Sequence, residues 1–179
     1  MESVDKTAKG QQALDKEDFQ AGKFLTFRLD DTEFGIEILK VVEILKMMEI
    51  TTVPMWPSFA KGTINLRGKV IPVVDLRMKF GLSQTEVTEH TCTIVLELGG
   101  TQIGVIVEAV NEVREIAEDQ IEESPSIGGT VNSDFILGMG KTESKTIILL
   151  SLEKILLSAD VAHLFDGAMD LADAELELV

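Results

Sequence analysis

Alternation of apolar and polar residues marks most of the ordered chain as strands. It begins at Lys23–Leu29, where Leu25, Phe27 and Leu29 share one face and Thr26 and Arg28 the other. Asp30-Asp31 makes a turn, and Glu33–Ile38 alternates again with Phe34, Ile36 and Ile38 inward. Val41–Met48 is the next strand, because its Val-Val-Glu-Ile start favours β over helix. A helix over 36–48 is the competing reading, since Ile36, Leu39, Val42 and Met47 could share a helical face. Pro54 and Pro57 then bracket a loop. Ser58 reads as the cap of one helical turn over Phe59-Ala60-Lys61. Gly62–Leu66 and Lys69–Leu76 pair as strands across a two-residue Arg67-Gly68 turn. Pro72 inside the second strand predicts an edge or a bulge there.

The second half of the pattern repeats the first. Thr32–Ile36 aligns with Thr101–Val105, and the match continues from Val41 to Val110, Glu43 to Glu112 and Ile44 to Val113. Farther on, Phe59 aligns with Phe135, Gly62 with Gly138, and Ile71–Leu76 with Ile147–Leu152. The change of offset falls in the Glu118–Gly129 connection. Two copies of a five-strand unit follow, each small enough to close as a barrel and so remove exposed edges. Val70–Val74 and Ile147–Leu150 are apolar at consecutive positions, which predicts strands covered on both faces and barrels packed on one another. The organisation expected is a polar arm over 1–21 and a single domain over 22–158. Within that domain one subdomain spans about 22–80, a second about 90–152, and a closing helix about 151–158. An acidic tail follows over 159–179.

Composition narrows the function. The 179 residues carry 31 acidic against 16 basic side chains, a formal charge of −15. Phosphate contacts need clustered Lys and Arg, so a nucleic-acid partner is not expected. No apolar run approaches the roughly 18–20 residues of a membrane helix, and Met1–Gly10 has no apolar core of a secretory signal. With the single Cys92, these features predict a cytoplasmic protein with no direct membrane insertion.

Catalytic chemistry is hard to find. His90 and His163 sit at the subdomain boundary and in the tail, so each reads as a solvated histidine. Cys92 opens a strand and reads as a small, half-buried thiol. One Cys and two distant His cannot build a zinc site, and no calcium loop is present. No metal and no cofactor is expected. Gly62–Lys69 resembles a phosphate loop, but Val70 stands where a Ser or Thr should follow the lysine, and a strand follows where a helix should. The reading is a protein that is not an enzyme.

Arg67 is the residue that stands out. A turn residue followed by glycine should hold its side chain clear of the sheet. Glu43, on the neighbouring strand, can hold the guanidinium in one orientation, with Val41 and Ile44 as apolar contacts beside it. An oriented arginine is a better anchor for a partner than a free one. A small-ligand-binding barrel module that uses the inter-barrel cleft is the alternative reading.

Three segments in order, 34–44, Lys61–Gly68 and Ile71–Arg77, together with the N-L-R-G…P-V-V-D-L-R string, resemble the CheW-like family of chemotaxis coupling proteins. The likeness runs from about Lys23 to Leu157. It implies an all-β fold with short helices: two intertwined, five-stranded, SH3-like barrels on a shared core, closed by a short C-terminal helix. It also implies a non-enzymatic adaptor in signal transduction that couples methyl-accepting chemoreceptors to the histidine kinase CheA in membrane-associated arrays. By motif position, Arg67, Asn65 and Gly68 would meet the receptor's cytoplasmic tip. Glu43 would be the neighbour and support of Arg67, and Val41, Ile44 and Gly62 would lie in or under the kinase or partner surface, with the motif leaving open which apolar positions meet kinase and which receptor.

Overall fold

The computed structural model describes residues 22–83, 86–122 and 135–156. The expected arm and acidic tail, His163, and the end of the closing helix lie outside them. The elements run β1 (Lys23–Leu29), β2 (Thr32–Glu37), β3 (Val41–Lys46), β4 (Ala60–Leu66), β5 (Lys69–Asp75), α1 (Leu76–Lys79), β6 (Cys92–Leu98) and β7 (Thr101–Val107). They continue with β8 (Ala109–Glu115), β9 (Ile121–Glu122), β10 (Ile136–Lys141), β11 (Thr146–Leu150) and α2 (Leu152–Leu156). The expected all-β architecture with short helices is observed. The helical alternative for 36–48 is confined to one 3₁₀ turn at Ile38–Lys40, which delivers the chain into β3.

The strands form a six-stranded sheet in the order β8-β1-β2-β11-β10-β9 and a five-stranded sheet in the order β3-β6-β7-β5-β4. The two sheets are not the two sequence repeats. β1 and β2 join strands of the second repeat, while β3, β4 and β5 join β6 and β7. The cuts between strand sets therefore fall at residues 38–40 and at Glu108, where the chain crosses from one sheet to the other. Phe80–Glu89, the expected boundary, connects β5 to β6 inside one sheet. A repeat in sequence is a repeat of local units, and local units leave open which copy supplies the neighbouring strand.

The exchange keeps the repeats equivalent. β2 pairs parallel with β11 through Gly35 and Leu149, and β7 pairs parallel with β5 through Gly104 and Val73. Both glycines are needed for close approach: a Cβ on Gly35 would lie 2.9 Å from Leu149, and one on Gly104 2.8 Å from Thr93. A shared core fills the space between the sheets, with Leu25, Phe27, Phe34 and Ile36 meeting Val74, Leu96, Ile103 and Val105. Leu152, Ile155 and Leu156 of α2 close it, and the Ser151 hydroxyl accepts a capping bond from the Lys154 N–H. Two smaller cores line the outer faces, one around Ile71 and Val73, the other around Ile147 and Leu149. β5 thus sends Ile71 and Val73 one way and Val74 the other, as its unbroken apolar run requires.

Two local expectations need correction. Ser58 and Phe59 form a turn, and Ala60 and Lys61 already belong to β4, so no helical turn stands there. Pro72 lies in an inner strand, not at an edge. Its partner Thr63 exchanges both backbone bonds with Thr51 on the far side, so the Pro72 nitrogen points away from β4. The ladder to β7 begins only at Val73, which makes the missing N–H cheap. The bulge occurs in β4 instead, between Ala60 and Gly62.

Candidate functional site

The β4–β5 hairpin turns on two residues, with Leu66 opposite Lys69. Arg67 has φ 53° and Gly68 φ 83°, so both sit in the left-handed region that a tight hairpin turn requires. The Asn65 side-chain oxygen accepts from the Gly68 N–H at 3.0 Å and locks the turn. A left-handed φ disfavours any side chain, and Asn or Gly would fit the position of Arg67 with less strain. The guanidinium is what the position gains.

That guanidinium is oriented. Its Nη1 donates to Glu43 Oε2 at 2.9 Å and its Nη2 to Glu43 Oε1 at 2.7 Å, a two-pronged pair between hairpin tip and β3. Arg67 is 72% exposed and Glu43 only 27%, so the acid lies beneath and the base stands outward. The hydrogen bonds from Arg67 hold the Glu43 carboxyl below the usual glutamate range, and the same bonds push Arg67 up. The pair is ionised throughout the neutral range.

β3 is an edge strand, and its outer face is apolar. Val42 is 47% exposed and Ile44 45%, flanked by exposed Leu39 and Met48. Val41, expected beside Ile44, is half-buried and packs on the shared core, because residues three apart on a strand face opposite ways. Val42, Leu39 and Met48 are exposed apolar positions that sequence reasoning did not name for this surface. Strict alternation from Ile44 would have found Val42.

Gly62 is buried in β4, against Thr51 and Ile50. Its φ is +140°, and a Cβ there would lie 2.0 Å from the Thr51 carbonyl oxygen. It shapes the bulge between Ala60 and Gly62. The second repeat keeps the bulge at Gly138 but builds its hairpin from Lys141–Lys145, closed by bonds between Thr142 and Lys145, with no Arg-Gly. Elsewhere His90 is exposed in a turn beside Glu89, and burial raises the Cys92 thiol, which keeps it protonated. The cleft between the sheets, where a ligand-binding module would need its pocket, is filled by the shared core. That reading is overturned. Among the described residues no helix is long and apolar enough to cross a membrane.

Known proteins carry the same plan. The family model described as CheW-like domain matches residues 23–160. The chemotaxis protein CheW of Klebsiella aerogenes is 36% identical over 140 residues, which is 78% of this chain and 84% of that one. Protein FrzA of Myxococcus xanthus is 30% identical over 139 residues, 76% of this chain and 86% of its own. The crystal structure of the scaffolding protein TtCheW from Thermoanaerobacter tengcongensis superposes with a TM-score of 0.71 at 37% identity, over 78% of this chain and 90% of that one. From the first strand to the closing helix, this chain belongs to the CheW-like family.

Proposed function

We infer that the protein is a non-enzymatic adaptor of chemotaxis signalling, which couples the cytoplasmic tips of chemoreceptors to the histidine kinase CheA. The observation that carries the reading is the oriented arginine: Arg67 stands outward on a hairpin tip, fixed by two bonds to Glu43 of the adjoining edge strand. Arg67, Asn65 and Gly68 form the receptor-facing element. The receptor tip supplies a carboxylate or backbone carbonyls to the guanidinium donors that Glu43 leaves free. Ile44 and Val42, with Glu43 at their side, form an apolar edge that receives the kinase's regulatory domain. Val41 and Gly62 support that edge from beneath. In the cell the chain works on the cytoplasmic side, recruited to the receptor array by these contacts.

Two partners on adjacent surfaces explain an adaptor that has no chemistry of its own. A strand edge gives main-chain bonds and apolar area, while an oriented arginine gives direction and specificity. The test is the Arg67→Glu variant. It removes the guanidinium, sets a second carboxylate against Glu43, and has little packing to lose because the side chain is exposed. Binding to a receptor-tip fragment should fall at least tenfold while binding to the kinase's regulatory domain is kept. Normal receptor binding by a folded Arg67→Glu protein would remove Arg67 from the site.

A further inference from the structure

The two crossovers between the sheets carry ion pairs of opposite polarity. The first crossover, after β2, bears Lys40, which is bonded to Glu153 in α2. The second, after β7, bears Glu108, which is bonded to Arg77 in α1. α1 and α2 occupy equivalent places, since each follows the strand that pairs in parallel with β7 or β2. Arg77 and Glu153 are equivalent positions of the two repeats. One junction therefore reads base on the crossover and acid on the helix; the other reads acid on the crossover and base on the helix.

This reversal matters because the repeats permit a second assembly. Gly35 and Gly104 stand at the same register of the two parallel pairings, opposite Leu149 and Val73, which are equivalent positions of the two repeats. An unexchanged chain would pair β2 with β5 and β7 with β11, each repeat folding on itself. Lys40 and Glu153 lie 113 residues apart, so the native β2 junction closes a far longer loop than β2 with β5 would. Loop closure and folding speed both favour the local pairing for β2. The apolar pattern does not oppose it.

We propose that the reversed ion pairs at the crossovers select the exchanged fold over the unexchanged one. In the unexchanged assembly Arg77 would stand against Lys40, and Glu153 against Glu108: two like-charge contacts in place of two opposite-charge ones. The second junction is the sharper discriminator because Arg77 is buried, with its Nε also on the Ser83 carbonyl at 2.8 Å and its Nη1 3.3 Å from Asp30 of the β1–β2 turn. A buried guanidinium facing an ammonium, with its carboxylate partner elsewhere, is disfavoured far more than an exposed pair. The buried junction thus makes the β7–α1 pairing hard to replace, and the exposed Lys40–Glu153 junction adds the complementary rule at the other end.

The test exchanges the charges of the exposed pair in the full chain. Lys40→Glu with Glu153→Lys keeps an opposite-charge contact in the native fold, but it turns both unexchanged junctions into attractive ones. Lys40→Ala with Glu153→Ala makes the first pair neutral and serves as the intermediate case. Each protein is refolded from urea at low ionic strength and followed by the fluorescence of its single tryptophan, Trp56. Double-jump measurements separate misassembled molecules from those delayed by proline isomerisation, which is common to all three. The misassembled-to-native ratio should rise in the order wild type, alanine pair, swapped pair, by roughly tenfold overall. Added salt should raise the ratio for the wild type and leave it nearly unchanged for the swapped pair, whose two assemblies carry equal numbers of opposite-charge contacts. Equal ratios in the three proteins, or a wild-type ratio indifferent to salt, would overturn the proposal.

Discussion

Gly62→Ala measures how the surface under the Arg67 hairpin is held. The new Cβ would lie 2.0 Å from the Thr51 carbonyl oxygen and 2.7 Å from its carbon, both backbone atoms that cannot rotate away. Thr51 must move, and it is fixed by two backbone bonds to Thr63, at 2.8 and 2.9 Å. Losing both costs about 2 kcal/mol at roughly 1 kcal/mol each. An L side chain at φ +140° adds about 1–3 kcal/mol of strain. The total, about 3–5 kcal/mol, is a large share of the roughly 5–15 kcal/mol that stabilises a domain. Gly68→Ala is the control: its φ is +83°, but nothing lies within 4 Å of the added Cβ, so only strain remains. Urea titration followed by Trp56, which packs against the shared core, reads both. Gly62→Ala should lose about 2 kcal/mol more than Gly68→Ala. An equal loss in the two variants would refute the close approach to Thr51 and with it the role of Gly62 as support.

Three further outcomes follow from the same geometry. Asp75 caps α1 by accepting from the Arg77 N–H at 2.9 Å, and burial raises its carboxyl above the ordinary aspartate range. A raised value means the folded state holds the proton longer, so ionisation destabilises the fold as pH rises through that value. Asp75→Asn, which still caps, should raise the urea midpoint at neutral pH and leave it unchanged in acid; a lower midpoint at neutral pH would contradict this. Ile44→Lys places a charge on an exposed apolar edge, so binding to the kinase's regulatory domain should fall at least tenfold with stability within about 0.5 kcal/mol of wild type. Glu43→Gln keeps the shape of the support but removes its charge, so calorimetry with the receptor tip should show weaker binding than wild type and stronger binding than Arg67→Glu.

Much of this was legible in the chain, and the exceptions share a cause. Strands β1 and β2 follow from alternation broken by Asp30-Asp31, and β7 from its match to β2 in the repeat, because inward positions two apart mark a strand face in any context. The Arg67–Glu43 pair was readable because a two-residue turn fixes where its side chain stands. Strand exchange was not readable from apolar pattern, since equivalent repeats present equivalent faces to either partner. The charges at Lys40, Arg77, Glu108 and Glu153 are among the places where the two copies differ, and only their pairing across the crossovers gives that difference meaning. Val42 was missed because Val41 was paired with Ile44, three residues away, whereas a strand presents alternate residues on one face. Ser58–Lys61 looked helical because a capping residue is a local signal, while β4 begins through its pairing with distant β5.

An adaptor of this kind must hold two partners at once. Sedimentation of the full chain with a receptor-tip fragment and the kinase's regulatory domain, separately and together, tests it most directly. Two binary complexes and a ternary complex that contains all three are expected, with Arg67→Glu losing the receptor and keeping the kinase domain. Competition between the two partners for the chain, or a receptor complex indifferent to Arg67, would contradict it.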